Sequence, residues 1–234
     1  MVERVLYDLA GQDDAVLFSP HGWRARMALA HKDLDFRTEA WRFTEKDVIA
    51  FSGQGAIPVL VDGERVVVDS WKIAVYLDEA YPDAPALLGG PQGTAHAFFV
   101  KSWAESVLHP GIVRQILLDL FEILHEGDKA YFRETREKRF GCTLEAFGAE
   151  ADASLPQFRA SLQPLRMTVS QQPYLGGEMP SFADYIVFGA FQWARVASAK
   201  ALLEDDDPIV AWRARMLGLF GGLAEATPAR TAVA

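Results

Sequence analysis

Three short motifs in this sequence combine residue types that could act on a ligand. Ser19 stands immediately before Pro20, and proline suits a first helical turn because its missing N–H has no partner there. The hydroxyl and the helix N-terminus would address the same anion; a plain N-cap is the alternative role. Ile57-Pro58 places a proline inside a β-branched run, where it removes a ladder hydrogen bond. That frees the backbone of Ile57 for an extended, peptide-like ligand, unless Pro58 is simply a trans proline on an edge strand. Asp69-Ser70 lies where a strand hands over to a helix. Helical N–H groups and the Ser70 hydroxyl would hold a carboxylate while Asp69 attracts an ammonium, so a ligand with an amino-acid head would satisfy both. The plainer role for either residue is to cap the helix.

The elements that must position these motifs follow from periodicity. A strand is expected from Glu3 to Leu9, a helix from Phe18-Ser19-Pro20 to about Lys32, and a strand from Asp35 to Trp41. A short polar helix over Glu45 to Ser52 precedes a hairpin, Ile57–Val61 and Arg65–Val68, and a helix from Ser70 to Tyr81. Prolines and glycines crowd residues 82–93, which marks a connector there. The expected division is therefore 1–81, a connector over 82–93, and an all-helical remainder over 94–234. In that remainder Val113, Ile116, Leu117, Leu120 and Leu124 share one face. Phe140, Leu144, Phe147, Ala151, Leu155, Phe158, Leu162 and Leu165 share another, with Pro110, Pro156 and Pro164 expected to kink or end the helices. Further helices start at Ser181 and after Pro208. Ser181-Phe182-Ala183-Asp184 reads as a capping box, a marker of fold rather than of catalysis.

Composition and missing motifs exclude several classes. With 23 Lys plus Arg against 32 Asp plus Glu, the 234-residue chain carries a net charge of −9 and no basic stripe suited to nucleic acid. No signal sequence is read at the start, and no apolar run approaches the roughly 20 residues that span a bilayer, so a cytoplasmic location is the default. Cys142 is the one cysteine, which excludes an intrachain disulfide or a Cys-x-x-Cys pair. The five histidines show no metal-binding spacing. Gly53-Gln54-Gly55 lacks the context of a dinucleotide fingerprint, and no G-x-S-x-G elbow surrounds Ser19.

Taken together, the βαβ–ββα order, Ile57-Pro58-Val59-Leu60, Asp69-Ser70, the connector, the helical remainder and Ser181-x-x-Asp184 resemble the glutathione S-transferases. The resemblance covers nearly the whole chain and implies an N-terminal thioredoxin-like domain followed by a C-terminal helical bundle. Ser19 to Arg26 and Asp69 to Asp78 look like the bacterial glutathione-dependent β-etherases and the related fungal serine-type class. The family implies Ser19 facing the glutathione sulfur, Ile57 before a cis Pro58 binding the cysteinyl backbone, and Asp69-Ser70 holding the γ-glutamyl head. Arg42, Lys46 and Gln54 are unseparated candidates for the glycyl carboxylate, and Tyr7 is the reserve residue for thiol activation. The long approach from Leu9 to Leu17 departs from the family pattern, and no cysteine at the first helix start weighs against disulfide exchange.

The resemblance therefore implies a glutathione transferase whose thiolate attacks an electrophilic, aromatic substrate, with aryl ether cleavage as the narrower reading. A non-catalytic protein that binds glutathione or an aromatic ligand is the alternative. The apolar substrate pocket is expected between the domains, near Trp103, His109 or Trp193. A homodimer and a role in detoxification or aromatic compound metabolism go with the family, with no nucleic-acid or membrane partner.

Overall fold

The computed structural model describes residues 3–231. Strand β1 (Arg4–Leu9) leads through helix α1 (Pro20–His31) to β2 (Arg37–Trp41), then a 3-10 turn (Lys46–Ser52), β3 (Val59–Asp62), β4 (Arg65–Val68) and α2 (Ser70–Ala80). The strands form one sheet in the order β2-β1-β3-β4, with β1 parallel to β2 and the other pairs antiparallel. A parallel neighbour requires a crossover, which α1 supplies. Asp62 pairs with Arg65, so Gly63 and Glu64 form the hairpin turn, and Gly63 takes the positive φ of 59° that such a turn needs.

The second layer consists of helices α3 (Gly90–Trp103), α4 (His109–Ile123), α5 (Glu126–Phe140), α6 (Leu144–Ala149), α7 (Ala151–Ser161), α8 (Gln163–Gln171), α9 (Phe182–Ala197) and α10 (Pro208–Leu217). This is the two-domain arrangement expected from the sequence: a thioredoxin-like domain followed by a helical one. No helix among the described residues is long and apolar enough to cross a membrane. Helix α3 already begins at Gly90, inside the stretch read as connector, because Gly89 and Gly90 turn the chain with positive φ and Pro91 sits in the first turn. The apolar periodicity from Phe140 to Leu165 is split among four helices. Gly141 ends α5 in a left-handed conformation and Thr143 caps α6, while Pro164 opens α8. Helix α7 runs through Pro156 without ending.

Helix α9 is the axis of the core: every residue in it except Arg195 is buried. Its first turn is built on Asp184, the carboxylate of the formed capping box. Besides Ser181 N–H at 3.0 Å, Asp184 accepts from Leu175 N–H, Gly176 N–H and Trp212 Nε1–H at 2.7, 2.9 and 3.1 Å. With the Ser181 hydroxyl at 3.3 Å, five donors from three segments converge on one buried group. A buried carboxylate is tolerable when its lone pairs are filled in this way, and its removal strands every donor. Asp184→Ala is therefore expected to lower unfolding free energy by about 3 to 5 kcal/mol in urea denaturation. Asp152→Ala, which breaks only an exposed pair with Lys200, should cost less than about 1 kcal/mol.

Candidate active site

A cleft of about 750 Å³ opens between the thioredoxin-like domain and helices α4 and α5. Ser19, His21, Lys46 and Ile57 line one wall, and His109, Arg114, Arg136 and Trp193 line the facing one. Ser19 is 3% exposed and caps α1, its Oγ accepting from Gly22 N–H at 3.0 Å. The capping role and the position at the cleft coincide. Because the oxygen accepts the helical N–H, the hydroxyl proton remains free to donate.

The peptide bond between Ile57 and Pro58 is cis, and β3 starts two residues later than Ile57, at Val59. Among the described residues neither the N–H nor the C=O of Ile57 has a hydrogen-bond partner. Pro58 C=O accepts from Asp69 N–H at 3.3 Å, which brings the β4–α2 handover against the cis peptide. Asp69 Oδ1 caps α2 by accepting from Trp71 and Lys72 N–H at 3.0 and 3.1 Å. The residue is exposed and holds φ at +74°, a conformation that costs an L side chain on the order of 1 kcal/mol or more. Ser70 is buried, and its Oγ has no partner among the described residues.

The three candidates for a carboxylate partner separate. Lys46 lines the cleft, donates to Gly55 C=O at 2.8 Å and sits 5.6 and 5.3 Å from the ring centroids of Trp41 and Tyr131. Arg42 pairs instead with Asp14 and Glu45 outside the cleft. Gln54 does not line it either: the chain turns at Gly53, with φ at 75°, and presents Gly55 and Ala56. Tyr7 lies on β1 against Phe51, away from the cleft lining. His109 and Trp193 line the cleft; Trp103 does not. A π-helical turn over Ala104–Leu108 separates α3 from α4 and shifts the helical phase, so that Glu105 and His109 face inward instead.

A polar cluster that the motif reading did not assemble links α1 to the start of α4. Arg24 is buried, donates to Glu105 at 3.3 Å and directs Nη2 to His109 Nε2 at 3.2 Å. A guanidinium only donates, so His109 Nε2 accepts and its proton resides on Nδ1. The His21 ring meets that of His109 edge-on at 5.3 Å, and His109 meets Trp193 at 6.1 Å. Burial, reinforced by the Arg24 charge, lowers the His109 pKa to about 3 and pushes His21 well below its usual value. Both rings are neutral near pH 7. A signal was available: Arg24 falls among the small and apolar residues of α1, where a charge needs a partner.

The family comparisons fit this architecture. The family model described as "Glutathione S-transferase, N-terminal domain" matches residues 18–80, and that described as "Glutathione S-transferase, C-terminal domain" matches 94–213. The chain belongs to the glutathione S-transferase family. It is 25% identical over 179 residues to glutathione S-transferase U22 of Arabidopsis thaliana, covering 75% of this chain and 69% of that one. It is 28% identical to glutathione S-transferase 1 of Dianthus caryophyllus, covering 70% and 82%. Among solved structures, a glutathione S-transferase of Ceriporiopsis subvermispora in complex with glutathione aligns with a TM-score of 0.81 at 23% identity, over 98% and 100% of the two chains. A glutathione transferase of Phanerochaete chrysosporium aligns at 0.76 and 25% over 98% and 99%.

His109, packed against α1, and Asp8, buried beneath it, have opposite pH signatures. His109 is proton-free in the folded state down to about pH 3 but takes a proton near 6.5 when unfolded. Its contribution is therefore complete above pH 6.5 and is lost as pH falls toward 3. Asp8, buried under α1, has its pKa raised by burial from 3.8 to about 6, so stability is lost as pH rises through that interval. Thermal melts should show His109→Gln flattening the decline between about pH 6 and 4, and Asp8→Asn gaining more stability at about pH 7 than at about pH 4.

Proposed function

We propose that this protein is a glutathione transferase in which Ser19 stabilises the thiolate of bound glutathione for attack on an aromatic electrophile. The observation that carries the reading is Ser19 Oγ itself, which lines the cleft and accepts from Gly22 N–H, leaving its proton to point at a ligand. Glutathione is the co-substrate, and its chemistry fits the groups present. The free N–H and C=O of Ile57 suit the cysteinyl backbone, Asp69 suits the α-ammonium, and the unpartnered Ser70 hydroxyl suits the γ-glutamyl carboxylate. Lys46 is our candidate for the glycyl carboxylate, since it is the one of the three expected partners that lines the cleft.

The required energy is modest. A thiol of pKa ~8.5 is about 3% ionised at pH 7, and a two-unit decrease takes ~2.7 kcal/mol. A hydroxyl donating to an anion supplies ~1.5 to 3 kcal/mol, and a helix N-terminus ~0.3 to 1. Ser19 stabilises the anion rather than removing the proton, because a serine hydroxyl is too weak a base. The thiolate then attacks an electrophilic carbon, forming the C–S bond as the leaving group departs with its electron pair. Aryl ether cleavage, in which a phenolate leaves and takes a proton from water, is the narrower reading supported by the sequence of α1 and α2. A cytoplasmic homodimer accords with the family; Phe98 and Phe99 on α3, 54% and 72% exposed, offer an apolar face beside Trp71.

Titrating the thiolate absorbance of bound glutathione tests the assignment. The wild-type pKa should lie well below ~8.5 and return toward it in Ser19→Ala, with kcat/KM falling about tenfold to a hundredfold. Loss of a helix cap alone would cost about 1 kcal/mol of stability and leave the thiol pKa unmoved. An unshifted pKa in both proteins would favour the binding-protein alternative, and absence of glutathione binding would remove the enzyme reading.

A further inference from the structure

We infer that the electrophile this cleft is built for carries a negatively charged group, held on the helical wall by Arg136 and Arg139 of α5 together with Arg114 of α4. The inference rests on the glutathione reading above and adds the class of its second substrate. Lys46, Arg114, Arg136 and Arg139 all line the cleft, and among the described residues none of them forms an ion pair with a carboxylate. Four cations thus share one cleft without a carboxylate partner, although the chain carries nine more acids than bases. The one acid lining the cleft, Glu105, is already engaged by Arg24 and Lys101.

The arginines are set among rings. The Arg136 guanidinium lies 5.1 and 4.6 Å from the ring centroids of Phe43 and Phe132, and Arg114 lies 3.8 Å from that of Phe147. Arg136 donates to Thr135 Oγ1 through Nη1, and Arg114 to Phe147 C=O at a long 3.4 Å, so most of their donors remain free. Arg139 follows Arg136 by three residues on α5, close enough for their charges to oppose each other. Like charges that line one cleft without a carboxylate partner of their own form an arrangement that an incoming anion relieves. Aromatic side chains interleaved with guanidinium groups match an aromatic ring bearing a carboxylate or comparable acid. Lys46, held at Gly55 C=O, is the candidate already assigned to the glycyl carboxylate, which leaves the arginines for the electrophile.

The test compares para-chloro-meta-nitrobenzoate with its methyl ester at saturating glutathione. In both, thiolate attack on the chlorine-bearing carbon forms the C–S bond and expels chloride. After correction for the uncatalysed rates, the wild type should favour the acid by about tenfold or more. Arg136→Gln and the exposed Arg139→Gln should each reduce kcat/KM for the acid about tenfold while changing the ester less than about threefold. Equal loss on both substrates, no wild-type preference for the acid, or a rise in the KM for glutathione would each overturn the inference. If neither compound is turned over, the transferase reading is decided separately by the thiolate titration described above. Fluorescence titration of meta-nitrobenzoate against its methyl ester then decides the anion claim: tighter binding of the acid that Arg139→Gln abolishes supports it, and equal affinities overturn it.

Discussion

The structure depends on how closely the first turn of α1 is held between its neighbours. On one side a Cβ at Gly22 would fall 1.7 Å from Asp8 Oδ1 on β1; on the other a Cβ at Gly189 of α9 would fall 2.4 Å from Pro20 C=O. Backbone therefore meets its surroundings on both faces, and the helix N-terminus has no freedom to slide. Ser19 caps that turn, so its position relative to the cleft follows from packing between the sheet and the central core helix. The buried Asp8 is a cost of the arrangement, since its second oxygen has no partner and burial disfavours its charge.

Around this fixed point the two domains are joined by polar contacts that burial makes selective. Arg24 reaches from α1 to Glu105 and His109, and His31 meets Tyr185 Oη at 2.6 Å. The connector is fastened as well: Asp78 accepts from Leu87 and Leu88 N–H at 2.8 and 2.9 Å, and Phe182 N–H returns to Leu87 C=O at 2.9 Å. Each contact places a donor or charge where an incorrect docking of the domains would leave it buried and unmatched. The apolar core supplies the bulk of the stabilisation, and these polar pairs fix its alignment.

Much of this was legible in the sequence because it depends on local chemistry. Pro20 after Ser19, Asp69 before Ser70, and Ser181 three residues before Asp184 each announce a helix start, and each helix begins there. The alternation of β2 and the β-branched runs of β3 and β4 are equally local. What escaped depends on phase and on distant partners. Trp103 has the right residue type for a pocket wall, but the π-helical turn that follows it rotates the face, and nothing in the sequence marks that turn. Arg42 and Lys46 are indistinguishable as isolated cations; Asp14, remote in sequence, engages the first and leaves the second to the cleft. Arg24, His21 and Arg136 gain their significance from Glu105, His109 and Phe43, contacts formed only when the domains meet.

Asp128, fully buried at the start of α5, accepts from Phe43 N–H and Thr44 N–H at 2.9 Å and from the Thr44 hydroxyl at 2.7 Å. Three short bonds thereby make the loop after β2 a mechanical extension of a helix in the other domain. Lys46 rides on that loop, and Arg136 and Arg139 ride on the helix. The two ends of the cleft then behave as one lever: whatever displaces α5 to admit a bulkier guest drags Lys46 with it. Reciprocity of linkage requires that a molecule anchored at Lys46 bias the space open to its co-ligand by the same free energy that the co-ligand returns.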